Sequence, residues 1–139
     1  MMEQLSAAEA LAVVSACERL NLDYSHHADS GRMDEWAQLF AEDGELIFFG
    51  QTHSGRVAIK AAGGTDVTLH VITNIRIEPL SADEAQGTAY VTTYVNPADG
   101  AAGGVTPVAV GTYDDRYRRT PEGWRFARRT FEPFARATA

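Results

Sequence analysis

Residues 68–80 read TLHVITNIRIEPL, an alternation of period two sustained longer than a surface loop or a helix tolerates. Such a run is a long strand of a sheet. Strict alternation puts Leu69, Val71, Thr73, Ile75 and Ile77 on one face and His70, Ile72, Asn74, Arg76 and Glu78 on the other. The chain before it has helical spacing, and the chain after it has more strand-like runs. Helices first and antiparallel strands afterwards define an α+β domain whose helices cover one face of a curved sheet.

The stretch SAAE at 6–9 fits a capping box, with Ser6 capping a helix and Glu9 reaching back to it. Ala10, Val14, Cys17, Tyr24 and Ala28 then form an apolar stripe interrupted at Asn21, and Ser30-Gly31 supplies a stop after about Asp29. A second helix over Met33–Phe40 would set Trp36, Leu39 and Phe40 against the first. Asp43-Gly44 reads as a turn, Glu45–Phe49 as a short strand, GQTHSG as a loop, and Arg56–Ala62 as a helical piece closed by Gly63-Gly64. Beyond the long strand, SADEAQG turns into a strand over Thr88–Val95, rich in Thr, Tyr and Val. The loop NPADGAAGGVTP leads to Val108–Arg119, and TPEG turns into Trp124–Phe131. The expected architecture is about six strands and three helices, a cone-shaped antiparallel or mixed sheet wrapped around N-terminal helices with a cavity inside.

A chain of 139 residues fits one domain spanning 1–139. Its net charge of −7 repels a phosphate backbone, which argues against nucleic acid as a partner. Half of its 12 basic residues fall between Arg116 and Arg129, alternating with aromatic residues as on a solvated sheet face. The single cysteine, Cys17, has no intramolecular partner and reads as a small buried apolar residue in a reducing, cytoplasmic protein. No segment approaches the roughly 20 apolar residues of a membrane span, so no membrane partner is expected.

Proton-transfer chemistry commonly needs an imidazole and a carboxylate to orient it. Of His26, His27, His53 and His70, only His70 lies in a strongly patterned strand, on a face shared with Ile72 and Asn74 that is half apolar and half polar. Such a face suits a pocket wall, although a hydrogen-bonded structural histidine satisfies the same pattern. Asp29, at the helix end, either caps the turn or faces that pocket. His26 and His27 project about 100° apart on a helix and do not share one site. There is no HExxH or CxxC pattern for a metal, no GxSxG elbow, no phosphate-binding loop and no strand-linked GxGxxG. Acid/base chemistry on a bound small molecule, or plain binding, remains, with no metal or organic cofactor expected.

The run YSHHADSGRMDEWAQLFAEDGEL, then SGRVAIKA, TLHVITNIRIE and VGTYDDRYRRTPEGWRFARRTF, resembles the SnoaL-like branch of the nuclear transport factor two-like superfamily from about Ser6 to Phe131. Within it the likeness is to the group of scytalone dehydratases, bile-acid dehydratases and hexachlorocyclohexane dehydrochlorinases. That resemblance implies a cystatin-like fold and an Asp–His pair matched by Asp29 and His70. It also implies a tyrosine matched by Tyr24 and an arginine matched by Arg129. Tyr24 and Asp29, about 140° apart on a straight helix, would converge only if the helix distorts. Alternation groups Arg129 with Ala127 and Phe131, opposite Trp124, Phe126 and Arg128, so Arg129 either binds an anionic group in the cavity or is solvated.

Where relatives carry a third acidic or histidine side chain this chain has TAYVTT, with Tyr90 or Tyr94 as stand-in phenols, and the lysine of the dehydrochlorinases is absent. Candidate pocket residues are Trp36, Phe49, Ile72, Asn74, Tyr90 and Phe131. The implied activity is a dehydratase-type lyase or isomerase acting on a small apolar or polycyclic molecule, in a homodimer or homotrimer joined through the long strands. A hydrophobic-ligand carrier, or an assembly subunit of the ring-hydroxylating dioxygenase type, shares the same resemblance.

Overall fold

The computed structural model describes residues 4–96 and 105–134; most of the Gly/Ala-rich loop expected before the third long strand lies outside the described residues. Helix α1 (Ala7–Asp29) starts where the Ser6 hydroxyl accepts the Glu9 backbone N–H at 3.1 Å. Its buried side carries Val13, Cys17, Leu20, Asn21, Tyr24 and Ala28, so Asn21 belongs to the stripe while Ala10 and Val14 are only half-buried. A buried amide is tolerated when its hydrogen bonds are made. Asn21 Nδ2 donates to the Cys17 carbonyl at 3.1 Å and to the Tyr117 hydroxyl at 2.8 Å. The helix stops at Gly31, whose φ of +72° a side chain would disfavour.

Helix α2 (Met33–Gln38) is shorter than its spacing predicts, because Phe40 already opens strand β1 (Phe40–Phe48). Asp43-Gly44 is therefore not a turn but an irregularity inside β1, where pairing to the last strand shifts register between Phe40 and Glu45. The segment expected as a loop is strand β2 (Gln51–Ser54), paired to β1 across the two-residue turn Phe49-Gly50. Both turn residues have positive φ, 49° and 77°, as a type I′ hairpin requires. Helix α3 (Arg56–Ala62) follows.

Four long strands complete the fold: β3 (Val67–Pro79), β4 (Glu84–Asn96), β5 (Thr106–Thr120) and β6 (Gly123–Pro133). The sheet order is β2-β1-β6-β5-β4-β3, with β1 parallel to β6 and the other pairs antiparallel. It is a mixed α+β sheet as expected, left open with β2 and β3 as its edges.

Two bulges redirect the side chains. Between Thr73 and Arg76, β3 carries one residue more than its partner segment Thr88–Tyr90, and Asn74 takes a φ of +53°. The inward set is consequently Thr68, His70 and Ile72 before the bulge and Ile75 and Ile77 after it, not one uninterrupted alternation. In β6 the register shifts so that Phe126 faces Tyr117 and Arg128 faces Arg116, leaving Ala127 as the extra residue. Phe126, Arg129 and Phe131 all end up buried, which overturns both the grouping of Arg129 opposite Phe126 and the reading of the whole Arg116–Arg129 run as solvated. Among the described residues no helix is long and apolar enough to cross a membrane.

Candidate active site

Strand β3 runs past the last turn of α1, and this crossing brings together residues 41 positions apart. Asp29 Oδ1 lies 2.7 Å from His70 Nδ1. The same carboxylate accepts the His70 backbone N–H, at 2.9 Å on Oδ2, and the Thr68 hydroxyl at 3.1 Å. An acceptor this firmly held favours the tautomer with the proton on Nδ1 and leaves Nε2 unprotonated. Both side chains are mostly shielded, 14% and 18% exposed for His70 and Asp29.

Tyr24 reaches His70 from another direction. Its ring stands perpendicular to the imidazole with centroids 5.8 Å apart. Helix α1 stays α-helical through Asp29, so no distortion is involved: His70 is flanked by both residues because β3 lies across the helix end. His26 and His27 take no part in this cluster.

His70 and Tyr24 face a cavity of about 540 Å³ bordered by α1, α2, the end of α3 and its following loop, the β1–β2 hairpin and the inner face of the sheet. Trp36, Phe49 and Phe131 line it. Ile72 instead packs against the core below the cavity. Asn74 does not line it, because the bulge turns that residue outward. Tyr90 is 55% exposed on the outer face, since β4 sends Ala89, Val91 and Thr93 inward and its tyrosines outward.

The cavity wall instead carries the phenol of Tyr113 of β5, a residue the sequence reading missed. Its hydroxyl lies 3.4 Å from that of Tyr24. Burial raises the pKa of both phenols, with the nearby Arg129 charge partly opposing the rise at each, so both stay protonated donors. The only sequence signal for Tyr113 was its place in a strand of alternating period.

Arg129 is 0% exposed and is not on the cavity wall. Its Nε and Nη2 donate to the two oxygens of Asp115 at 2.8 and 2.9 Å, and Nη2 also donates to Asn21 Oδ1. The Tyr117 hydroxyl donates to Asp115 as well, at 3.1 Å. The guanidinium lies over the rings of Tyr113 (3.7 Å), Phe126 (4.4 Å) and Tyr24 (4.5 Å). Burial pulls its pKa down, but the Asp115 carboxylate outweighs burial and holds it above the ordinary arginine value. Arg129 is thus a charge beneath the two phenols rather than a cavity ligand. Among the described residues no group of three or more His, Cys, Asp or Glu side chains is arranged to hold a metal ion.

Residues 9–130 match the model of the SnoaL-like domain. No curated protein matches the chain by sequence. Among solved structures, it is similar to a protein of Novosphingobium aromaticivorans provisionally assigned as a scytalone dehydratase. That match has 27% identity and a TM-score of 0.81, covering 96% of this chain and 100% of the other. A hexachlorocyclohexane dehydrochlorinase matches with 24% identity, a TM-score of 0.76 and 94% of each chain. The β subunit of a provisionally assigned aromatic-ring-hydroxylating dioxygenase, also from N. aromaticivorans, matches with 20% identity and a TM-score of 0.73, over 93% of this chain and 95% of the other. The last two likenesses show the fold alone, which is the cystatin-like fold of nuclear transport factor two-like proteins.

Proposed function

The chain belongs to the SnoaL-like domain family, and on that premise we propose that it is a small-molecule lyase of the dehydratase type, or an isomerase, with His70 as its base. The observation that carries the proposal is the 2.7 Å contact between Asp29 and His70 Nδ1, which leaves Nε2 of a cavity-facing imidazole free to accept a proton. Nε2 would take the proton from a carbon next to an activating carbonyl, and Asp29 would hold the ring and stabilise the imidazolium. In an elimination the C–H electron pair becomes the new double bond, the β C–O bond breaks, and the imidazolium returns its proton to the leaving hydroxide. In an isomerisation the proton returns to a different carbon.

Tyr24 would donate its phenolic proton to the oxyanion that develops in either case. Arg129 would assist through Tyr24, as a fixed positive charge under the ring, without touching substrate. Trp36, Phe49 and Phe131 would bind the body of an apolar, cyclic substrate. The reading extends to a cytoplasmic protein, given one cysteine, and to a homodimer or homotrimer joined through the outer face of the long strands.

The test is a panel of cyclic β-hydroxyketones and β,γ-unsaturated ketones, followed by enone absorbance and by deuterium uptake from D₂O. His70→Ala should lower turnover about 10²- to 10⁴-fold, the usual contribution of a positioned general base. Ring ¹⁵N shifts should report the Nδ1–H tautomer of His70 in the wild type and its loss in Asp29→Leu. Undiminished turnover in His70→Ala, or an Nε2–H tautomer in the wild type, would sink the assignment. A carrier would bind members of the panel without turning them over, and an assembly subunit would co-purify with a larger chain.

A further inference from the structure

The β1–β2 turn contains a conflict between backbone and side chain. A type I′ turn needs positive φ at both central residues and is normally built from Asn-Gly or Gly-Gly. Here the first position is Phe49, with φ +49°. For a bulky residue that region is strained, because Cβ crowds the following carbonyl. Strain of this kind persists where something else requires the residue.

Core packing does not require it. Phe49 is 58% exposed. What its ring does is stand at the cavity, edge-on to Phe48 with centroids 4.5 Å apart and to Phe131 at 5.3 Å. Phe48 is itself 38% exposed and on the cavity wall. Three aromatic rings therefore border one side of the cavity, two of them on the hairpin and one on β6.

The charge of the cavity wall narrows what those rings can receive. Among its described residues the wall has no lysine or arginine, and its one acidic side chain is Asp66, just before β3 in the loop from α3. A carboxylate or phosphate on the ligand would meet no lysine or arginine there and one like charge. A neutral ring pays no such penalty and gains from stacking on the phenylalanines.

We infer that Phe49 is the specificity-determining cover of the cavity, held in a strained turn conformation so that its ring closes over a flat, uncharged ring ligand. The inference rests on the reading that this cavity binds the protein's small molecule, and it does not depend on turnover.

The test uses two naphthalenes of nearly the same shape, the neutral 2-acetylnaphthalene and the anionic 2-naphthoate, titrated calorimetrically into the full-length protein, with thermal unfolding of each variant alongside. The wild type should bind the ketone at least about tenfold more tightly than the carboxylate. Phe49→Ala and Phe49→Gly both remove the ring and should each weaken ketone binding about tenfold, the equivalent of losing roughly 1.4 kcal/mol of aromatic contact. The two variants differ only in whether a Cβ must occupy positive φ. Phe49→Gly should therefore unfold at the higher temperature, reversing the usual Ala-over-Gly order.

Equal binding of the two ligands, or no binding of the ketone, overturns the ligand class. Unchanged ketone affinity in both variants overturns the role of the ring, and a lower unfolding temperature for the glycine variant overturns the strain. Each readout is equilibrium binding or stability, so a protein that binds the ketone but turns nothing over would fail the catalytic proposal and leave this one standing.

Discussion

Arg129 and Asp115 face each other with no exposed surface on either side chain, and what keeps two charges in that position bears on the roles of both. Removing ions from water costs several kcal/mol each even after relaxation, so the pair survives only through its geometry. The guanidinium makes a two-pronged contact to Asp115, a further bond to Asn21, and face contacts with three aromatic rings. Arg129→Met would leave a buried, uncompensated carboxylate and should cost about 3–5 kcal/mol of stability in urea unfolding. Arg129→Met combined with Asp115→Leu should recover most of that loss, since no charge is then stranded. Were Arg129 instead an anion-binding residue of the cavity, the single variant would raise KM at nearly wild-type stability, and the double variant would rescue nothing.

The elements explain why some residues were legible in the sequence and others were not. Asp29 and His70 could be found because each sits where its local pattern is regular, at a capped helix end and in the first part of β3 before any bulge. Arg129 and Asn74 were misplaced because alternation was carried across Ala127 and past Thr73, where one extra residue moves the following side chains to the other face. Neither bulge has a glycine or proline to announce it.

The interface between α1 and the sheet also sets how the fold responds to alkali. Cys17 and Tyr24 on α1 and Tyr113 and Tyr117 on β5 are all buried, and burial is the leading cause of a raised pKa at each; the Cys17 thiol goes from 9.0 to about 12. A raised pKa means that unfolding releases protons at high pH. Stability should therefore be level below about pH 9 and fall as pH rises toward 12. Over the same range Cys17 should resist thiol reagents until the chain unfolds. A urea midpoint that did not drop between pH 8 and pH 11 would show that these groups open to solvent in the native state.

Considered as a whole, the molecule has an inner sheet face committed to the cavity and core, and an outer face with an apolar patch at one end of its long strands. Leu69 and Val71 of β3, Tyr90 of β4 and Val110 of β5 are all exposed there. The register makes them neighbours: Val71 pairs with Thr92, and Thr92 with Val110, while Leu69 lies beside Tyr94. Tyr90, which has no place in the cavity, belongs to this surface, where an amphipathic ring is the kind of side chain interfaces favour. Contiguous apolar patches of this sort are uncommon on monomers, and a second copy of the same face is the partner that needs no further gene product. Wild-type protein should therefore run as a dimer or trimer in light scattering. Val71→Lys combined with Val110→Lys places like charges on either side of Thr92, and should give a folded monomer with its far-ultraviolet spectrum intact. The cavity opens on the opposite side of the sheet, so naphthalene binding should survive the change. A wild type that is already monomeric at working concentration would remove the self-association proposal while leaving the cavity chemistry untouched, because every residue assigned to that chemistry comes from one chain.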